Sequence, residues 1–175
     1  ESLYAYLDCA DGAWEHYKKV VGKDLDFNKY FKRVVYHTPF GGLVKLAHGN
    51  ILKENYPGIK KSEIIKNFEE KVLKSFKIPR LVGNTYSSTV YTSLVSLLLD
   101  DDDVKPGDRI GLFSYGSGSC AEFYSAIVLP GAKEYIRSLG IDNHLSARYQ
   151  LTVDEFDALS RKRSSHADQP TYETD

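Results

Sequence analysis

The sequence contains no methionine among its 175 residues, two cysteines and a single tryptophan. The cysteines, Cys9 and Cys120, form no metal-ligand spacing, and two cysteines do not make a disulfide framework. Such sparing use of cysteine fits a reducing compartment, so we expect a cytoplasmic protein. Because a complete gene product begins with methionine and this chain begins at Glu1, we expect a piece of a longer protein or a sequence recorded without its methionines.

Neither sign of charge dominates, since 23 lysines and arginines stand against 24 aspartates and glutamates, for a net charge of −1. Proteins that bind nucleic acid or membrane surfaces show a basic excess or stripe, so we expect neither partner. The longest apolar run, SLVSLLL, is too short to cross a bilayer, and the first residues show no signal-peptide pattern. Hydrophobic residues make up 42% of the chain, enough for a core, and the length indicates one domain or two small ones.

Hydrophobic periodicity predicts helices interrupted by short strands. The predicted strands are RVVYH, RIGLFSYG and CAEFYSAIVL, and the Gly-rich GSGS between the last two predicts an antiparallel hairpin. The apolar spacing in SEIIKNFEEKVLKSFK predicts the clearest helix, capped by Ser62 and ended by Pro79. Gly140 is expected to close the short helix AKEYIRSL, and Thr152 with Glu155 forms a capping-box pattern at the start of a later helix.

This mixture of helices and strands indicates the α/β or α+β class. The predicted sheet is small for so many helices, which indicates half of a larger layered fold. We therefore expect one structural unit over residues 1–163 and a polar, disordered tail over residues 164–175.

His37 follows directly on the predicted strand VVY and precedes Thr38 and Pro39, where the strand must end. An imidazole titrates near neutral pH, so a histidine at a strand end can exchange a proton with a ligand in a cleft. The alternative, which is commoner for such a residue, is a buried histidine whose ring nitrogens are satisfied by backbone groups.

Two further motifs could contribute to a catalytic or ligand-binding site. Asn84 lies in GNTYSS, where its amide could orient a substrate carbonyl or a histidine, or could stabilise a turn or cap a helix. Gly116 and Gly118 lie in FSYGSGS, where glycine lets backbone N–H groups approach an oxyanion, or permits a hairpin turn. This loop matches neither a dinucleotide fingerprint nor a phosphate-binding loop, because the third glycine, the following helix and a G-K-[ST] ending are missing.

Cys120, His37 and Asn84 would together make the Cys-His-Asn set of some thiol hydrolases. Cys120 nevertheless begins an apolar strand, where a free cysteine is usually buried and inert. A self-contained thiol hydrolase is therefore the weaker hypothesis. Cys9 falls in an amphipathic helix and is expected to contribute to packing.

Three stretches in this order, YHTPFGGLVK, GNTYSSTVYTSLVSLL and GDRIGLFSYGSGSCAEFYS, resemble the C-terminal half of 3-hydroxy-3-methylglutaryl-coenzyme A synthase. The leading SLYAYLDCADGAWEHY is similar to the segment that precedes the family's histidine motif, so the resemblance covers about residues 1–130. It implies the thiolase-like superfamily and its layered α-β-α-β-α fold. This chain would be the C-terminal half of that fold, with helical extensions.

The resemblance also implies a reaction. In this family a cysteine is acetylated, a glutamate helps to generate the acetyl carbanion equivalent, and the carbanion attacks the ketone of an acetoacetyl thioester held by a histidine. Hydrolysis then releases the hydroxymethylglutaryl product. His37 matches the histidine, Asn84 matches an asparagine that helps to hold the acceptor, and Ser117 matches the loop whose backbone lies at the acyl-cysteine oxyanion. Gly116 and Tyr115 would line the same pocket.

The chain departs from a complete enzyme of this family, because the nucleophile and the glutamate belong to the N-terminal half and neither Cys9 nor Cys120 occupies the nucleophile's motif. We therefore expect that the chain alone does not condense acetyl and acetoacetyl thioesters. We also expect an N-terminal half as partner, a homodimer in the complete protein, and no metal or cofactor beyond the thioester substrates. The rival hypothesis is a non-catalytic module that binds acyl thioesters or carrier proteins.

A second departure concerns the carrier of the acceptor. Members of the mevalonate pathway commonly have a lysine five residues after the histidine that helps to bind coenzyme A, whereas that position is Gly42 here. HTPFGG-x-VK is more similar to the polyketide β-branching members, whose acceptor is tethered to an acyl carrier protein. We therefore favour that branch over coenzyme A, with Gly42 and Lys45 at the carrier-binding site. The alternative for Lys45 is a solvated helix lysine.

Overall fold

The computed structural model describes residues 2–22 and 24–165, and the chain divides into two compact units, Glu1–Gly140 and Ile141–Asp175. The first unit contains strands β1 (Arg33–Tyr36), β2 (Arg109–Gly116) and β3 (Cys120–Ile127), and helices α1 (Ser2–Val21), α2 (Phe27–Tyr30), α3 (Gly41–Asn55), α4 (Lys61–Lys71), α5 (Lys77–Val82), α6 (Thr89–Asp100) and α7 (Ala132–Ser138). Its 3₁₀ turns are Leu73–Phe76, Tyr86–Ser88 and Ser117–Ser119. The second unit contains α8 (Ile141–Ser146) and α9 (Val153–Ser165).

The sheet has the order β1-β2-β3, with β1 parallel to β2 and β2 antiparallel to β3. The predicted hairpin is confirmed, with Gly116 opposite Cys120 beside its turn. Every residue of β1 is buried, because helices cover both faces of the sheet. Successive side chains of a strand point to opposite faces, so Val34 and Tyr36 pack with residues of α1 and α3, whereas Val35 packs with residues of α6.

Aromatic side chains fill the core between α1 and the sheet. Trp14 is fully buried, and its ring centre lies 5.3 Å from that of Phe27 and 5.1 Å from that of Phe123. Gly111 in β2 makes room for this cluster, since a Cβ atom there would lie 3.1 Å from Phe123 and 3.2 Å from Phe31. The cluster holds α1 against the strands whose carboxyl ends carry the candidate site.

Two predicted boundaries of the clearest helix are wrong. The helix α4 is capped at Lys60 rather than at Ser62, because the Glu63 carboxylate accepts the Lys60 backbone N–H at 2.9 Å. Pro79 does not end this helix, which has already given way to a 3₁₀ turn. Pro79 lies instead in the first turn of α5, where its missing N–H costs no intrahelical hydrogen bond.

The helix-end signals farther along the chain are confirmed. Gly140 takes a left-handed conformation (φ +62°) just after α7. In the second unit, the Thr152 N–H donates to the Glu155 carboxylate at 2.7 Å, and the Glu155 N–H donates to Thr152 Oγ1 at 3.3 Å. Most of the predicted tail, residues 166–175, lies outside the described residues, so the division at residue 164 stays a prediction.

A series of hydrogen-bonded polar side chains, Tyr36, His48 and Asn67, runs through the core next to β1. His48 of α3 is fully buried, and its Nδ1 lies 2.9 Å from the Tyr36 hydroxyl while its Nε2 lies 2.9 Å from the Asn67 side-chain oxygen. A neutral ring satisfies both neighbours, since Nε2 donates to Asn67 and Nδ1 accepts from Tyr36. Burial lowers the His48 pKa to about 4. His48 is therefore neutral at neutral pH and has a structural role.

Candidate active site

His37 lies one residue beyond the carboxyl end of β1, and its main chain is held from two sides. Its N–H donates to the Phe113 carbonyl oxygen of β2 at 2.7 Å. Its own carbonyl oxygen accepts from the Tyr6 hydroxyl of α1 at 2.6 Å. These two bonds fix the point from which the imidazole projects, at the strand end that the sequence predicted.

The imidazole of His37 is buried but not satisfied. The residue is 5% exposed, and its Nδ1 has no hydrogen-bond partner among the described residues. A buried polar atom without a partner is rare and costs about 1–3 kcal/mol. Burial lowers the His37 pKa, and the nearby Tyr86 backbone partly opposes that shift. His37 thus presents a neutral ring with an open nitrogen, unlike His48, and the alternative of a satisfied structural histidine does not describe it.

Two tyrosines stand against this ring. Tyr115, near the end of β2, has its ring centre 5.8 Å from that of His37, and the Tyr6 ring centre lies 6.3 Å away. The tyrosine rings meet edge to face, with their centres 5.4 Å apart. Sequence reasoning placed Tyr115 in the pocket and missed Tyr6, whose signal was a hydroxyl on the apolar face of a helix.

Asn84 lies between α5 and the 3₁₀ turn Tyr86–Ser88. Its side-chain oxygen accepts the Tyr86 backbone N–H at 2.9 Å, which makes an Asx turn. Because the oxygen serves the turn, the Nδ2 group is left to donate to a ligand. Asn84 can therefore stabilise the turn through its oxygen and bind a ligand through its Nδ2 group at the same time.

One cavity of about 580 Å³ brings the predicted catalytic residues together, and we call it the His37 cavity. His37, Asn84, Tyr115 and Gly116 all line it. Leu3, Pro39, Phe40 and Leu43 supply apolar parts of its wall. A largely apolar cavity of this size with a few convergent polar groups is typical of a small-molecule site.

A second cavity of about 480 Å³ shares part of its wall, including Phe40, with the first, and we call it the Lys45 cavity. Gly42 and Lys45, both exposed in the first turns of α3, line it, and so does Arg80 of α5. Two cationic side chains at one cavity suit a ligand with an anionic group such as phosphate. Sequence reasoning missed Arg80, because only the fold brings α5 to the start of α3.

Gly42 leaves room for the Phe40 ring. A Cβ atom at position 42 would lie 2.9 Å from a ring carbon of Phe40, closer than real Cβ atoms approach. A lysine at this position would therefore displace Phe40, which lines both cavities. The Phe40 ring therefore occupies the space that a lysine side chain at position 42 would need.

The loop after β2 begins at the His37 cavity. Gly116 lines the cavity, and the 3₁₀ turn Ser117–Ser119 follows it. Gly118 and Ser119 both take left-handed conformations, with φ +76° and +56°. The assignment of the Ser117 backbone to an oxyanion stays a prediction.

Neither cysteine is among the residues that line the His37 cavity. Cys120 is exposed at the start of β3, so the expectation that it is buried is wrong. Cys9 is half-buried on α1, and its Sγ donates to the Ser119 carbonyl oxygen at 3.3 Å. Burial raises the pKa of the Cys9 thiol, which keeps it protonated and unreactive. The two thiols therefore give no support to the thiol-hydrolase hypothesis.

Within residues 2–22 and 24–165, no cluster of three or more histidine, cysteine, aspartate or glutamate side chains could hold a metal ion. In the same part of the chain, no helix is both long enough and apolar enough to cross a membrane.

Comparison with known proteins decides the family. A family model described as the C-terminal part of hydroxymethylglutaryl-coenzyme A synthase matches residues 58–175. The chain belongs to the hydroxymethylglutaryl-coenzyme A synthase family. It corresponds to the C-terminal half, and its fold is thiolase-like, as the three motifs predicted.

Among its relatives, the chain is 38% identical to the polyketide biosynthesis 3-hydroxy-3-methylglutaryl-ACP synthase PksG of Bacillus subtilis, over 90% of this chain and 37% of that protein. It is 30% identical to the hydroxymethylglutaryl-CoA synthase of Enterococcus faecalis, over 88% of this chain and 38% of that protein. It therefore spans well under half of the length of these relatives.

Solved structures of related proteins have a fold similar to that of this chain. The HMG synthase of the curacin biosynthetic pathway, in complex with a holo donor-ACP, matches with a TM-score of 0.86 and 38% identity, over 94% of this chain and 39% of that one. MvaS in complex with 3-hydroxy-3-methylglutaryl coenzyme A matches with a TM-score of 0.78 and 25% identity, over 91% of this chain and 43% of that one.

Proposed function

We propose that this chain supplies the acceptor side of a condensing acyltransferase. The complete enzyme joins an acetyl group to the ketone of an acetoacetyl thioester and yields a hydroxymethylglutaryl thioester. The observation that carries the proposal is the open Nδ1 of the buried, neutral His37, in the same cavity as the Asn84 amide. Such a pair suits a ligand with two carbonyl oxygens, which an acetoacetyl thioester provides.

Each residue has a distinct role in this reaction. In the tautomer that carries its hydrogen on the open nitrogen, His37 donates to the ketone oxygen and stabilises the alkoxide formed when the acetyl carbon attacks. Asn84 donates through Nδ2 to a carbonyl oxygen of the acceptor. The backbone of Ser117, next to Gly116, binds the acyl oxyanion. One positioned donor of this kind is commonly worth about 10²–10³ in rate.

The reaction needs groups that this chain does not contribute. The cysteine that carries the acetyl group and the glutamate that handles its proton come from the N-terminal half of the enzyme, and the complete enzyme is a homodimer. The coverage supports a contribution from a further part of the enzyme, since the match to PksG takes up 37% of the length of that protein. The thioesters are substrates and no cofactor is required. We keep the cytoplasm as the expected compartment.

For the carrier of the acceptor we propose an acyl carrier protein rather than free coenzyme A. A side chain at position 42 would have to displace the Phe40 ring, so in this chain an aromatic ring occupies the space of the family's coenzyme A lysine. Lys45 and Arg80 remain at the Lys45 cavity to bind the single phosphodiester of a phosphopantetheine arm. The higher identity to PksG, an ACP synthase by name, than to the Enterococcus faecalis CoA enzyme supports this branch.

Calorimetric titration with acetoacetyl-pantetheine tests the assigned roles. We expect His37→Gln and Asn84→Ala each to weaken binding by roughly tenfold, which corresponds to the loss of about 1.4 kcal/mol. The matched control is His16→Gln, because His16 is exposed on α1 and does not line either cavity. Equal affinities in all four proteins would contradict the roles of His37 and Asn84.

The carrier is tested with the same chain and acetoacetyl thioesters of phosphopantetheine and of pantetheine. Lys45→Ala and Arg80→Ala should weaken binding of the first ligand and leave that of the second unchanged, because only the first carries a phosphate. Lys53→Ala, an exposed lysine farther along α3, is the control. A non-catalytic thioester-binding module would show the same affinities, so only condensation with an N-terminal half separates the two hypotheses.

A further inference from the structure

Two groups of one buried residue, the hydroxyl and the backbone N–H of Thr89, hold the turn between α5 and α6 by donating to the Tyr86 carbonyl oxygen. Thr89, the first residue of α6, is fully buried, and its Oγ1 donates to the Tyr86 carbonyl oxygen at 2.6 Å. The same Oγ1 accepts the Thr85 N–H at 3.2 Å and lies 3.2 Å from the Asn84 side-chain oxygen. Because a hydroxyl has a single hydrogen to donate, the shorter contact, to Tyr86, is its main donor bond.

The residue that Thr89 holds has an unusual backbone. Tyr86 takes a left-handed conformation (φ +56°), which residues other than glycine rarely adopt and which persists only where the surroundings enforce it. The Tyr86 side chain is 80% exposed, so packing of its ring contributes little to that enforcement. The hydrogen bonds at its N–H and carbonyl groups are therefore the main restraints on the turn.

Both proposed catalytic residues depend on this one turn. The Tyr86 N–H donates to the Asn84 side-chain oxygen at 2.9 Å, which decides where the Asn84 Nδ2 points. Tyr86 also lines the His37 cavity beside His37, and its backbone partly opposes the lowering of the His37 pKa by burial. Moving Tyr86 would thus move the Asn84 amide and change the surroundings of the His37 ring together.

We propose that Thr89 is a positioning residue of the site: its hydroxyl keeps Tyr86 in the left-handed turn and thereby sets the Asn84 amide and the His37 ring together. Thr89 does not line either cavity, so it acts through its neighbours and not on the ligand. The test below uses acetoacetyl-pantetheine, and that choice of ligand rests on the proposed function. The geometry of the turn is independent of the proposed function.

Three substitutions isolate the hydroxyl. Thr89→Val replaces it with a methyl group of similar volume, and Thr89→Ser keeps it. The matched control is Thr92→Val, because the Thr92 hydroxyl also bonds a backbone carbonyl, that of Thr89 at 2.9 Å, but makes no bond to the turn. Circular dichroism establishes that each chain retains its helices before the comparison is made.

The experiment has two readouts on the full chain. In NMR titration of the imidazole, assigned with His37→Gln, Thr89→Val should lower the His37 pKa, because displacing Tyr86 from the cavity wall weakens the influence of its backbone that opposes the effect of burial. In calorimetry, Thr89→Val should bind acetoacetyl-pantetheine roughly tenfold more weakly, since small displacements of orienting groups have effects of this size or more. Thr89→Ser and Thr92→Val should behave as the wild type in both.

A rescue variant guards against a merely structural defect. Adding Tyr86→Gly to Thr89→Val should return the His37 pKa towards the wild-type value, because glycine adopts the left-handed conformation without support. A double variant that stays at the Thr89→Val value would count against the proposal. So would a Thr89→Val chain with wild-type titration and affinity, or a Thr92→Val chain that loses as much as Thr89→Val. Failure of the wild-type chain to bind the ligand would instead count against the proposed function, and the titration would then decide on Thr89 alone.

Discussion

Acidification should destabilise the first unit through His48, which takes no part in the proposed chemistry. The ring is fully buried and bonded to Tyr36 and Asn67 as a neutral imidazole, and burial lowers its pKa to about 4. In the unfolded chain the pKa returns to about 6.5. Above that pH the ring is neutral in both states. Below it, the unfolded chain binds a proton that the folded chain does not, so the free energy of unfolding falls.

The size of the effect follows from the two pKa values. Between about pH 6.5 and about pH 4 this one group lowers the free energy of unfolding by about 1.36 kcal/mol per pH unit, or roughly 3.4 kcal/mol in all. Below about pH 4 both states bind the proton and the loss stops growing. Since domains of this size are typically stable by about 5–15 kcal/mol, the loss is a large share of the total.

Urea unfolding measured at pH 7 and at pH 4.5 tests this value, followed by fluorescence of the buried Trp14, the single tryptophan of the chain. The comparison variant is His48→Gln, whose amide can accept from Tyr36 and donate to Asn67 but does not titrate. Carboxylates titrate in both proteins, so the wild type should lose roughly 2.7 kcal/mol more than the variant between these two pH values. Equal losses would refute the assignment of a neutral, buried His48.

Three further outcomes follow from the site and its surroundings. Tyr6→Phe removes the hydrogen bond to the His37 carbonyl oxygen and should lower the free energy of unfolding by about 1–3 kcal/mol. Tyr4→Phe, at an exposed position of the same helix, should leave the free energy of unfolding unchanged. Equal stabilities of the two variants would show that the Tyr6–His37 bond does not stabilise the fold. Gly42→Lys should raise the affinity for acetoacetyl-coenzyme A relative to acetoacetyl-carrier protein in calorimetry, because it displaces Phe40 and adds a cation, and a shift in the opposite direction would count against the carrier assignment. Half of a layered fold leaves apolar surface uncovered, so light scattering of the isolated chain should show association, and a clean monomer would argue otherwise.

The sheet was predictable because its signals are local. The apolar runs of β1 and β2 and the turn glycines before β3 lie within a few residues of the structure they specify. The helix boundaries at Ser62 and Pro79 were predicted wrongly for a physical reason. A serine competes with every nearby group that can bond the first N–H, and here the Glu63 carboxylate prevails. A proline in the first turn of a helix removes no intrahelical hydrogen bond, so Pro79 lies in the first turn of α5 and does not mark the end of α4.

The site was predictable where its motifs are contiguous and unpredictable where they are not. His37, Asn84 and Gly116 were singled out from short stretches, and the fold gathers them in one cavity. Sequence alone does not distinguish His37 from His48, because the difference lies in whether distant side chains reach the ring nitrogens. Arg80 was missed for the same reason, since its position at the Lys45 cavity depends on how two helices meet.

The most direct test of the acceptor role of this chain is condensation by the chain joined to the N-terminal half of PksG, compared with the chain alone. We expect no hydroxymethylglutaryl thioester from the isolated chain, product from the joined protein, and a loss of roughly 10²–10³ in rate when the joined protein carries His37→Gln. We also expect faster turnover with acetoacetyl-carrier protein than with acetoacetyl-coenzyme A. Turnover by the isolated chain, or an unchanged rate in the joined protein with His37→Gln, would contradict the proposed function.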